Sequence, residues 1–123
     1  RWILSFVMNE KEKEIQSALR QVKIFKTKSG YNVGLIYGCN FDVSELGNRI
    51  CTDLKDKNEK SVDIAMIVNL NKESISVRTT RTDLDLGKIM QDYFNGGGHP
   101  QASGGHLDSN LVDYFSHTLI AKL

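Results

Sequence analysis

The chain has 123 residues, 40% hydrophobic and 25% charged, enough for one domain with its own core. A formal net charge of +1 excludes a global field for a polyanion, so any nucleotide contact has to be local. Cys39 and Cys51, without CxxC spacing, exclude a disulfide framework and fit a reducing cytoplasmic setting, and no apolar run approaches the roughly 20 residues of a membrane span.

The chain begins at Arg1 without an initiator methionine and runs through an apolar stretch to Met8, which reads as a piece of a longer polypeptide. From Asn9 to Val22 the residues Ile15, Ala18, Leu19 and Val22 share one helical face, opposite the charges of residues 10–14. Residues 22–28 and 31–37 then carry β-branched and aromatic side chains around Ser29-Gly30, the pattern of two antiparallel strands. Asp42 is placed to cap a helix with Val43, Leu46, Ile50 and Leu54 on one face and Glu45 at the capping-box position. The charged residues 55–60 should form an exposed loop.

Val62, Ile64, Met66, Val68 and Leu70 alternate, with Ala65 and Ile67 between them, so this strand is expected to be central and buried on both faces. Residues 74–80 follow as a strand with Ile75 and Val77 inward and Arg78 on the polar face. Asp85 caps a helix from Leu86 to Phe94 whose buried stripe should be Leu86, Ile89, Met90 and Tyr93, ending at Asn95-Gly96. After a glycine segment, Ser109 can cap a last helix with Leu111, Val112, Phe115 and Leu119 inward. This order predicts an α/β (α+β) fold: a mixed sheet of about five strands packed by helices, with a glycine-rich loop at its binding edge.

That segment runs Gly96-Gly97-Gly98-His99-Pro100-Gln101-Ala102-Ser103-Gly104-Gly105-His106. Each glycine loses about 0.5–1 kcal/mol relative to alanine in regular structure, so something has to require them. One reading is an anion site, with three bare amides converging beside a short helix that Pro100 starts and Gly104-Gly105 ends. The other is a tight connection and nothing more. A P-loop is excluded by spacing and by the missing Lys-Ser/Thr. His99 can meet a phosphate, stack on a base or bond within the loop, whereas His99 with His106 lacks the further ligands of a metal site. His117 reads as a surface residue, and both cysteines as small buried hydrophobes. Arg78 and Arg81 stand out against the near-neutral total: Arg78 leaves its strand among hydroxyl residues where a bidentate phosphate contact is open, the alternative being a surface salt bridge. No nucleophile with a base and no metal cluster is legible.

Ser76-Val77-Arg78, a helix, and then Gly96-Gly97-Gly98-His99 followed by Ala102-Ser103-Gly104 resemble the C-terminal DHH-associated domain of the DHH phosphoesterase superfamily, over most of residues 24–108. Ser103 stands where the family commonly has alanine, and Gly105-His106 where an aromatic often follows. The resemblance implies that residues 1–23 are an interdomain connection and leading helix and 24–123 the nucleic-acid-binding domain. It also implies a catalytic Asp-His-His domain of the same polypeptide, outside this chain, holding two manganese ions. In this chain it implies no catalytic residue, no metal ligand and no cofactor, but a phosphate-binding set of Arg78, Gly96, Gly97, Gly98 and His99. Nano-RNA, bisphosphorylated adenosine and linear or cyclic dinucleotides are the substrates implied, and no hydrolysis is expected of these residues alone. A stand-alone RNA- or tRNA-binding module is the alternative. Oligomeric state stays open, a homodimer included, with no membrane partner.

Overall fold

The computed structural model describes residues 2–37 and 42–107, with side chains from residue 10 onward. The last helix expected after Ser109, His117 and Cys39 lie outside the described residues. Three helices and six strands follow in the order α1 (Trp2–Gln21), β1 (Lys23–Lys26), β2 (Asn32–Tyr37), α2 (Val43–Asp53), β3 (Ile64–Asn69), β4 (Ser74–Arg78), α3 (Leu86–Tyr93), β5 (Gly97–His99) and β6 (Ala102–His106). They build one sheet of order β1-β2-β3-β4-β6-β5.

α1 begins at Trp2 rather than at Asn9, because residues 2–8 contain neither glycine nor proline to stop a helix. Its Ile15, Ala18 and Leu19 are buried, as their spacing predicts. β1 and β2 form the expected antiparallel pair, joined by a turn in which Gly30 takes a φ of +90°, which favours glycine. β2 and β3 are parallel, so the chain has to cross over between them, and α2 is that crossover. Its N-terminus is capped by Asp42, whose Oδ1 accepts from the amides of Ser44 at 2.9 Å and Glu45 at 3.4 Å. All other pairings are antiparallel.

Helices cover both faces. Ile36, Ala65 and Ile67 pack with Ile15, Leu19, Leu46, Ile50 and Cys51 of α1 and α2. On the opposite face Val68, Ile75 and Val77 pack with Leu86 and Met90 of α3. β3 is therefore central and buried on both sides, and each fully buried aliphatic side chain contributes roughly 1.5–3 kcal/mol. The burial stripe of α3 omits one expected member: Tyr93 is 78% exposed, because the face turned to the sheet is that of Leu86, Gly87 and Met90, continued by Phe94, and Tyr93 falls to one side of it. Among the described residues no helix is long and apolar enough to cross a membrane.

The glycine segment departs most from expectation. No helix starts at Pro100. Residues 97–106 form a β-hairpin, with Gly97 opposite Gly104, Gly98 opposite Ser103 and His99 opposite Ala102. Pro100 sits at the second position of the turn, where its fixed φ is suited. β4 would otherwise be a sheet edge, and β6 satisfies its backbone along five residue pairs, more than a four-residue helix could offer. Gly98 takes a φ of +140°, a conformation side chains rarely adopt.

Candidate functional site

Residues directly opposite in a ladder share a face. The register aligns Ala65, Arg78 and Ala102 with His99, and Ile67, Ser76 and Gly104 with Gly97. Ser76, Arg78, Gly97, His99, Ala102 and Gly104 thus occupy the face on which α1 and α2 lie, with Arg78 against α2 and the hairpin residues further along the sheet. Gly97, His99 and Ala102 are exposed there, while Ser76, Arg78 and Gly104 are half-buried. The result is an open floor of small residues with a guanidinium and an imidazole beside it.

Arg78 is held tightly. Its Nη1 donates to the carbonyl oxygens of Val77 at 2.8 Å and Ser103 at 3.4 Å. Its Nε is buried without an acceptor among the described residues. Nε–H and Nη2 lie on the same edge of a guanidinium, the edge that grips a phosphate or carboxylate with two parallel bonds. The other two described arginines near the core are saturated by carboxylates. Arg49 grips Glu12 with bonds of 2.9 and 2.8 Å and also bonds Asp53. Arg81 bonds Asp63 at 3.1 Å and Asp83 at 2.8 Å, and its guanidinium lies 5.0 Å from the centre of the Tyr31 ring. Arg81 is thus the arginine in salt bridges, whereas the surface salt bridge left open for Arg78 is not formed, since no carboxylate among the described residues pairs with it.

The glycines have separable roles. A Cβ on Gly96 would stand 1.9 Å from the Gly104 carbonyl oxygen, so the bare Cα there serves close backbone packing. A Cβ on Gly97 would meet nothing within 4 Å, so nothing among the described residues requires glycine at that exposed position. Three amides do not converge on a single point: consecutive N–H groups of a strand alternate in direction, and that of Gly96 already donates to the Met90 carbonyl at 3.0 Å. His99 does bond within its turn, its Nδ1 accepting weakly from the Gln101 amide at 3.4 Å. That bond leaves Nε2 as the outward donor of the neutral ring. At the N-terminus of α3, Leu86 N–H donates to Pro100 O at 2.8 Å and Lys88 N–H to the Asp85 cap at 3.1 Å, so these two amides are already engaged within the fold.

The family model described as "DHHA1 domain" matches residues 32–123. This chain belongs to the DHHA1 domain family. It is 30% identical over 83 residues to oligoribonuclease NrnB of Bacillus subtilis (strain 168), covering 68% of this chain and 19% of that protein. The chain thus spans about a fifth of the curated relative it matches. Among solved structures it resembles an uncharacterized protein from Helicobacter pylori G27, with a TM-score of 0.53, 28% identity, 73% of this chain and 23% of that one. A DHH domain described as a member of the s1p family of ribosomal proteins superposes over 98% of this chain and 32% of its own, with a TM-score of 0.63 and 20% identity, which supports the fold alone. The family match over residues 32–123 makes the chain a DHH-superfamily associated domain.

In this DHHA1 domain two residues outside the set expected from sequence matter to the site. Ser103 is buried and its hydroxyl donates to the His99 carbonyl, pinning the turn that carries the imidazole. Gly47 is buried in the interior of α2, where glycine costs about 1 kcal/mol against alanine. That placement inside a helical pattern was its only sequence signal. Cys51 is buried as expected, and burial raises its thiol pKa. Among the described residues no three His, Cys, Asp or Glu side chains converge to hold a metal ion.

Proposed function

We propose that this chain is the substrate-binding domain of a DHH-family phosphoesterase that hydrolyses phosphodiester or phosphate-ester bonds in short oligonucleotides or related nucleotides. The observation that carries this is Arg78: a half-buried guanidinium anchored through Nη1, unpaired by any described carboxylate, beside an exposed glycine floor. A phosphate oxygen can meet the Arg78 guanidinium, whose Nε still lacks an acceptor among the described residues, His99 Nε2 supplies a further donor, and Gly97 lets the ligand approach the sheet. Similarity to an oligoribonuclease supports an oligonucleotide as the ligand.

The bond-breaking step belongs, on this reading, to an Asp-His-His domain of the same polypeptide with its manganese ions, and the residues of this chain bind and orient. Arg78, Gly97 and His99 then raise KM when altered and leave bound metal unchanged. The test is steady-state hydrolysis of a 5′-phosphorylated diribonucleotide by the full-length protein and its Arg78→Ala and His99→Ala variants, with metal content measured alongside. Unaltered KM in both variants, or loss of metal in either, refutes the assignment. Tight binding of structured RNA with no hydrolysis by the full-length protein would favour a binding module instead.

A further inference from the structure

The structure assigns Gly47 of α2 as the positioning residue that aims Arg78, an inference that rests on the phosphate-binding reading above. A Cβ built on Gly47 would lie 2.5 Å from Arg78 Cγ and 2.8 Å from Arg78 Cβ. These are atoms at the root of the side chain, so they cannot yield as the tip of a flexible chain would. The bare Cα of Gly47 is therefore a slot along which the Arg78 stem lies against α2.

Three restraints then fix the guanidinium. The slot fixes the stem, the carbonyls of Val77 and Ser103 fix Nη1, and the ladder partners Ala65 and Ala102 flank its Cα with small side chains. What remains is the edge formed by Nε and Nη2. Nε is buried and has no acceptor among the described residues, so a ligand oxygen that reached it would satisfy an otherwise unpaired donor. A guanidinium held this way loses little rotamer freedom on binding. A helix glycine that is unfavourable for α2 by itself thus has a reason thirty-one positions further along the chain, in the placement of Arg78.

The test uses the full-length protein, a 5′-phosphorylated diribonucleotide as the probe, affinity measured by calorimetry with divalent metal chelated, and kinetics measured with metal present. Gly47→Ala is expected to weaken binding and raise KM at least about tenfold, the loss of a charge-assisted bond, with kcat changed far less, and to lower thermal stability because the same methyl group overpacks α2 against β4. In an Arg78→Ala background the same substitution is expected to have no further effect on binding, which a merely structural role would not produce. Arg78→Lys keeps charge and stem but removes the two-donor edge, and is expected to bind as weakly as Arg78→Ala. If Arg78→Ala weakens binding but Gly47→Ala stays within about twofold of the parent, the positioning role is overturned and the phosphate reading stands. Wild-type affinity in Arg78→Lys overturns the two-donor edge even if Gly47→Ala fails to fold. Wild-type affinity in Arg78→Ala overturns both.

Discussion

Gly96 and Gly97 are neighbours in sequence, and alanine at each should do opposite things. At Gly96 a methyl carbon would stand 1.9 Å from Gly104 O, 2.6 Å from Gly105 Cα and 2.8 Å from Gly104 C. All three are backbone atoms without a rotamer to yield, so the two segments have to separate. Overpacking of this kind costs about 1–3 kcal/mol. Separation also endangers the bonds from Gly96 N–H to Met90 O and from His106 N–H to Phe94 O, each about 0.5–1.5 kcal/mol. The expected loss for Gly96→Ala is then about 2–6 kcal/mol. At Gly97 a methyl group meets nothing within 4 Å, and alanine in place of strand glycine is worth about 0.5–1 kcal/mol in favour of folding. Gly97→Ala should therefore fold at least as well as the parent while binding a phosphorylated dinucleotide more weakly, because the methyl group stands on the open floor. Urea denaturation and dinucleotide titration of both variants make the comparison. A Gly96→Ala protein within about 0.5 kcal/mol of the parent would refute the hairpin packing. Undiminished binding by a folded Gly97→Ala protein would refute the role given to the floor.

Asp85→Ala removes the cap whose carboxylate accepts from Lys88 N–H at 3.1 Å, and should lower stability by about 1 kcal/mol in urea denaturation. Asp85→Asn should recover most of it. Glu12 is held down to about 2 from about 4.5, first by its hydrogen bonds from Arg49 and then from Gln16. A carboxylate lowered on folding stabilises the protein fully above its unfolded pKa and loses that contribution as pH falls through the folded value. Melting temperature should therefore decline between about pH 4.5 and 2, and Glu12→Gln should make that decline shallower. An unchanged slope would show that the bond linking α1 to α2 is not populated in solution.

Most of the scaffold was legible because its signals are local and repeated. The alternation in residues 62–70 specifies a two-sided strand, and β3 is that strand between two packed layers. Asp42 and Asp85 precede apolar periodic runs and both cap helices. The glycine segment was legible in composition but not in conformation. Glycine has no strand preference of its own, and residues 102–106 become a strand because β4 offers an unpaired edge at a distance that sequence does not display. Arg78 was recognisable from the hydroxyl residues around it, whereas its separation from Arg81 depends on where Asp63 and Asp83 fall in space. Gly47 could be noticed as an anomaly in a helix, but its purpose is a contact with a strand far along the chain. Tyr93 matched the helical period and is exposed because the buried face is centred on Leu86, Gly87, Met90 and Phe94, a rotation of the stripe that the apolar spacing alone does not fix.

The central claim is that a nucleotide phosphate docks on the face carrying Arg78, Gly97, His99 and Ala102. Backbone amide shifts of the isotopically labelled chain, followed by NMR during titration with a 5′-phosphorylated diribonucleotide, test it most directly. The account predicts that the largest changes cluster at Arg78, at residues 97–99 and at residues 102–104, with little change along β1. Changes centred on α1 or β1 instead, or a saturating ligand that leaves Arg78 and the hairpin unmoved, would contradict it.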